Sequence, residues 1–263
     1  MGGTWFNLST VNADLVTQRL SELLPIYQAL QADEVKKRLG QALEIAVFRA
    51  LLAQDALQVF LGAFLDLDDH DDSMLYRKEE PPKWLGKRDI GGDRRLDFLA
   101  NHPQAGWAGL EIKNIREWIY PDRREVLDLL SKCIAMDVVP VLIARRIHFS
   151  TFLVLNTCGV IFHQTFNQRF AAADSVLAAK ASHKTNLGFH DIRVGNHPDP
   201  RLLKFISVNL PAAIPEHRQK FDDYKDLLEN FANDQMPYRE FAARVRRRRE
   251  GRGENSDWED AYK

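Results

Sequence analysis

Apolar residues recur along this chain with two periods, and the changes between them mark its elements. From Asn12 to Tyr27, Leu15, Val16, Leu20, Leu23 and Leu24 fall three or four apart behind a capping asparagine, the spacing of an amphipathic helix. Asp33 opens a longer helix whose stripe runs through Val35, Leu39, Leu43, Val47, Ala50 and Leu57, with Glu44 one position off it, at the edge of the packed face. Near residue 95 the period shortens to two, as in a half-buried strand. Folding Arg94–Ala100 back on Gly109–Lys113 about Gln104 sets Asp97 opposite Glu111, Leu96 opposite Ile112 and Phe98 opposite Leu110. His102-Pro103-Gln104-Ala105-Gly106 supplies the turn residues.

Beyond this hairpin, Glu125 to Met136 has helical spacing and Val138 to Ala144 reads as a buried strand. Phe152–Asn156 and Val160–Thr165, parted by Thr157-Cys158-Gly159, read as a second hairpin. From Ala171 the pattern loosens around a short helix, with Lys180, His183, Lys184, His190 and Arg193 in loops. Helices return at His217–Phe231 and Tyr238–Arg249. The last one ends in Arg244, Arg246, Arg247, Arg248 and Arg249 before an acidic tail with Asp257, Glu259 and Asp260. Residues 73–93, rich in proline and glycine, read as irregular with one short strand.

In the first hairpin Asp97, Glu111 and Lys113 share the polar face. Two carboxylates so close repel unless a cation lies between them. Magnesium suits them, as a hard ion that binds through one or two carboxylates plus substrate phosphate oxygens. An ammonium two residues from a ligand can orient the attacking water while charge on the phosphate is stabilised. This chemistry cleaves phosphodiesters.

Asp97 and Glu111-Ile112-Lys113 resemble the PD-(D/E)xK nuclease superfamily, whose core places an acid on one strand and acid-x-lysine on the next. The resemblance spans roughly residues 33 to 165, about half the chain. It implies a metal site of Asp97 and Glu111, a catalytic Lys113, and a contribution from Glu44, the only acid between Glu34 and Asp55. It also implies an α/β, restriction-endonuclease-like core with a central mixed sheet flanked by helices, here carrying helical additions at both ends. Magnesium, with manganese as a substitute, and DNA rather than RNA follow from it. Leu96 stands where many members have proline, and the glutamine-tyrosine signature of the exonuclease-like branch is missing, which leaves endo against exo action open.

Basic residues around the motif are candidates for phosphate contact: Lys87 and Arg88 in the irregular stretch, Arg95 beside Asp97, Arg116 and Arg123 about Trp118 and Tyr120, and Arg145 and Arg146 at a strand end. For Trp118 and Tyr120 themselves, packing the following helix onto the sheet outweighs base stacking. Lys132 reads as a solvated helix lysine and His163 as a structural imidazole.

Composition then narrows the picture. The formal charge of −1 over 263 residues excludes a simple DNA-coating protein, yet Lys83 to Arg146 holds 12 Lys/Arg against 9 Asp/Glu. Cys133 and Cys158 lack the neighbours of a zinc site and read as buried thiols. Five aspartates between Asp66 and Asp72 lack the glycine and distal glutamate of a calcium loop and read as a solvated loop. No run reaches the roughly 20 apolar residues of a membrane span, so the expected place is the cytoplasm and no membrane partner. The expected organisation is a helical segment (1–30), a nuclease-like core (31–170), an extension on it (171–243) and a tail (244–263). Pairing of two copies is expected by analogy with nucleases that cut both strands. Neither a glycine-rich phosphate loop nor a nucleophile elbow is present. The rival is a nucleic-acid-binding or assembly subunit whose nuclease-like core is silent.

Overall fold

The protein, described by a computed structural model over residues 12–67, 73–183 and 185–252, has an α/β architecture with one mixed five-stranded sheet. Most of the acidic loop (68–72), Lys184 and the acidic tail (253–263) lie outside the described residues. The chain begins with α1 (Ala13–Gln31), capped by the Asn12 side chain, which accepts the Asp14 amide at 2.7 Å, and α2 (Asp33–Leu52). Sheet strands β1 (Val59–Leu61), β2 (Phe98–His102) and β3 (Gly106–Lys113) follow, then α3 (Arg124–Met136), β4 (Val139–Ala144), α4 (Phe149–Thr157) and β5 (Ile161–Gln164). The chain then runs through α5 (Ser175–Ser182), α6 (Pro200–Lys204), α7 (Leu210–Ala232) and α8 (Tyr238–Arg249).

The sheet order is β1-β2-β3-β4-β5. β1 and β3 run antiparallel to β2, whereas β4 is parallel to β3 and β5 to β4. A parallel pair needs a crossover, and this need overturns the second expected hairpin. Phe152–Asn156 is part of α4, which carries the chain back over the sheet so that β5 enters parallel to β4. Its β-prone residues yield to tertiary context.

Alternate residues of β3 face opposite layers. Ala108, Leu110 and Ile112 meet Phe98, Val141 and Ile143 beneath α2 and the α6–α7 junction. Leu99, Leu142 and Val160 pack instead against α3, the later turns of α7, and α8. Two glycines permit the close approaches. A Cβ at Gly109 would lie 2.6 Å from Leu96 Cδ1 and 2.9 Å from Val138 Cγ2. Gly159, at φ +92°, passes so near α7 that a Cβ would sit 2.4 Å from the Phe221 amide nitrogen.

Three further expectations change. α2 stops at Leu52, so Leu57 joins the core from the segment beyond the helix. Residues 73–93 hold three two-residue strands rather than one: Lys78–Glu79 pairs with Ala63–Phe64, and Trp84–Leu85 pairs with Arg88–Asp89. Leu96 does not share a face with Ile112, because the β2–β3 ladder ends at Phe98 and Leu96 turns into the α3 layer. Cys133 and Cys158 are free, buried thiols as expected. No helix among the described residues is long and apolar enough to cross a membrane.

His163 on β5 stacks on Phe205 with ring centroids 4.3 Å apart. Burial, then the nearby Arg201, pulls its imidazole down to about 4 from 6.5. The unfolded chain therefore binds the proton more readily, and the stability contributed by the neutral ring is complete above pH 6.5 and lost as the pH falls toward 4. Urea denaturation across that window should show wild type losing up to ~3 kcal/mol relative to His163→Phe.

Candidate active site

The hairpin register is the expected one: Phe98 lies across from Leu110, with His102 opposite Gly106. Inside the turn, His102 Nδ1 accepts the Gln104 and Ala105 amides, each at 3.2 Å, and Gly106 adopts φ +75°. At the other end Asp97 replaces the ladder with its side chain: its Oδ2 accepts the Ile112 amide at 2.7 Å. One carboxylate oxygen is thus fixed by the backbone of β3, and the other is turned toward α2.

There Asp97 meets Glu44. The Lys78 ammonium bridges them, donating to Glu44 Oε2 at 2.9 Å and Asp97 Oδ1 at 3.2 Å. Burial and then the like charge of Asp97 push the Glu44 carboxyl up to about 7. Burial alone would lower Lys78, but Asp97 and Glu44 outweigh it and hold the ammonium above its ordinary value. The backbone bearing Lys78 is tied to α2 by Gln41, whose amide exchanges two hydrogen bonds of 2.9 Å with the backbone of Tyr76.

Glu111 forms a second cluster, buried toward α3. Its Oε1 accepts Lys113 and its Oε2 accepts Lys132, each at 2.6 Å. Lys132 also reaches Asp128 Oδ2 at 2.7 Å and the Arg95 carbonyl at 2.9 Å. The solvated reading of Lys132 is therefore corrected: at 2% exposure it is buried, since Leu129, Lys132 and Met136 share a packed stripe at i, i+3, i+7. Burial, then Asp97, raises the Glu111 carboxyl, with Lys113 and Lys132 opposing them. Asp97 is the charge that couples the two clusters.

The surface opens over these groups in two adjoining hollows that share Lys36, Gly40 and Glu44. One, of about 620 Å³, is lined by Asp97, Lys78, Glu80 and Arg95; the other, of about 420 Å³, is lined by Lys113, Asn114, Arg116 and Glu117. Glu111 lines neither. Thus Glu44, Asp97 and Lys113 reach the cleft, while Glu111 lies beneath it between two ammonium groups.

Phosphate-contact candidates are dispersed. Arg95 and Arg116 line the cleft. Arg145 is buried and shares Asp191 with Arg116. The Arg146 guanidinium lies 5.3 Å from the Trp118 ring centroid. Arg123 forks onto Glu125 at 2.9 and 3.0 Å, and Arg88 pairs with Asp137 at the C-terminal cap of α3. Lys87 is exposed at the turn between Trp84–Leu85 and Arg88–Asp89. Trp118 and Tyr120 are 41% and 45% exposed, so neither is a buried wedge between helix and sheet.

The residues missed by sequence reasoning are Lys36, Lys37, Gly40, Gln41, Lys78, Asn114 and Lys132. Lys37, Gly40 and Glu44 repeat at i, i+3, i+7, a signal legible in hindsight. Lys78 has no such signal, because nothing periodic surrounds a two-residue strand.

By donor chemistry the site suits a hard divalent cation, since its acids are carboxylates, two of them raised first by burial and then by the like charge of Asp97. By placement each carboxylate already holds a lysine, and among the described residues no three or more His, Cys, Asp or Glu are grouped to hold a metal ion. No family model, curated protein or solved structure matches the chain.

Asn114, directly after Lys113, locks these elements together. Its side chain donates to the carbonyls of Leu39 on α2 (2.6 Å) and Arg169 (2.7 Å) and accepts the Arg169 amide (2.9 Å). Asn114→Ala leaves an amide N–H without its partner in a buried place. Chemical denaturation should show a loss of ~3 kcal/mol, well beyond a surface substitution.

Proposed function

We propose that the chain is a metal-dependent nuclease hydrolysing phosphodiester bonds, with DNA as its substrate and a restriction-endonuclease-like core as its scaffold. The observation that carries this reading is the placement of Asp97 and Lys113 in two adjoining hollows that share Glu44, with Glu111 beneath, around an antiparallel β2–β3 hairpin followed by α3 and a parallel β4. Asp97 and Glu111, with Glu44, would hold magnesium or manganese. When bound, such an ion supplies charge stabilisation to the phosphate and a lowered pKa to its water.

The protein's own groups do the rest. Lys113 extends from buried Glu111 to the cleft surface, so its ammonium is placed to hydrogen-bond a water or a phosphate oxygen there. Burial alone would lower Lys113, but Glu111, Asp97 and Glu44 together hold its ammonium above the ordinary value, so it orients and donates rather than accepts a proton. Asp97, fixed through the Ile112 amide on one oxygen, presents the other, which accepts from Lys78, to the cleft. Lys36, Lys37 and Arg95 line the same opening and supply positive charge for a polyanion.

One observation favours a second reading, a nucleic-acid-binding or assembly subunit with a silent core: every carboxylate of the site is already neutralised by a lysine. Assays of plasmid, linear and branched DNA, with and without magnesium or manganese, separate the two. We expect cleavage only with metal, and a loss of at least ~100-fold in Lys113→Ala. Equal cleavage by both proteins rejects the assigned site, and DNA binding with neither cleavage nor metal uptake establishes the silent reading.

A further inference from the structure

We propose that Lys78 is a displaceable counter-ion, holding Glu44 and Asp97 while metal is absent and withdrawing to Glu80 when metal enters. This rests on the nuclease reading and concerns how its metal site is filled. Glu44 and Asp97 are half-buried like charges that need a cation between them. The ammonium and a divalent ion compete for the same oxygens, because Lys78 contacts Glu44 Oε2 and Asp97 Oδ1 together.

Two further features make the ammonium movable. Glu80 Oε2 is 3.6 Å from Lys78 Nζ, on a side chain that is 45% exposed at the rim of the same cleft. A second anionic partner therefore waits outward, and a shift of the flexible stem reaches it without moving backbone. That backbone is meanwhile held, by Gln41 on Tyr76 and by the pairing of Lys78–Glu79 with Ala63–Phe64. Lys132 is held more tightly: its side chain is 3% exposed against 11% for Lys78, and Glu111, Asp128 and the Arg95 carbonyl all lie within 2.9 Å of its ammonium. Of the two lysines that tie the acids to other elements, Lys78 is the one built to leave.

Manganese titration without DNA tests this, by calorimetry and by the metal-induced rise in Tm, on wild type, Lys78→Gln and Glu80→Gln. Lys78→Gln removes the competitor and should bind manganese at least tenfold more tightly, with a larger Tm rise. Glu80→Gln removes the outward partner and should bind it more weakly than wild type. Unchanged or weaker binding by Lys78→Gln overturns the role of Lys78 and leaves the nuclease reading standing. Failure of all three proteins to bind manganese removes that reading and this one with it. Should Lys78→Gln not fold, the rim variant decides alone: weaker binding supports the proposal, and unchanged affinity overturns it.

Discussion

Placement of charge in this protein depends on the register between β2 and β3. Successive strand side chains alternate faces, so a slip of one residue would exchange Leu110 and Ile112, which pack beneath α2, with Glu111 and Lys113. The core cannot accept that exchange. Gly109 adds a steric lock, since the space a Cβ would need is filled by Leu96, Val138 and Cys133. Where the ladder ends, the Asp97 carboxylate takes the Ile112 amide that a continued strand would have served. Its orientation is therefore a property of backbone pairing, and the position of Lys78, which meets its other oxygen, follows from it.

Around that junction sit Glu44, Asp97 and Glu111 with Lys78, Lys113 and Lys132, in two clusters that touch electrostatically through Asp97. Ion pairs of this kind add little net stability, because desolvation of both partners offsets their attraction. A fold that needed only stability would do as well with apolar residues here. What the pairs do is set ammonium groups against three acids in a partly buried setting, where an isolated carboxylate would take up a proton. The raised Glu44 carboxyl shows how close the balance lies. Such a cluster holds side-chain ammonium groups, and on the proposed reading would exchange one of them for a metal.

Much of this was legible in the residues alone. The Asn12 cap, the α2 stripe, the hairpin register, α3, β4 and α8 each follow from a periodic pattern or a turn signal within a few residues of its observed bounds. Phe152–Asn156 misled because its side chains favour strands, while the parallel pairing of β4 and β5, a property of distant segments, demanded a helix. Leu96 misled because the ladder stops two residues short of it, at Phe98, and the chain beyond turns toward α3. Lys132 lay on a readable stripe, but residue type suggested solvent and spacing did not prevail. Lys78, Gln41 and Asn114 act through contacts spanning 19 to 75 residues, which no local pattern encodes.

The same contacts decide where a polyanion would feel positive charge. Arg116 and Arg145 follow the ends of β3 and β4, a place where ligands often meet an α/β sheet, yet both already share Asp191, and Arg145 also holds the Arg116 carbonyl at 2.7 Å. Their fork geometry is spent on fixing the strand ends to the Asp191 segment. On the other wall, Lys36 and Lys37 project from α2 about two turns before Glu44, and Gly40, one turn before it, leaves the approach to its carboxylate uncovered. A phosphate backbone entering the cleft would thus be drawn along α2 toward Glu44 and Asp97 rather than across the strand ends. On the proposed nuclease reading, the helix that builds the core under β2–β3 would also aim the substrate at the acids, and Asn114, by tying the end of β3 to Leu39, keeps both walls in step.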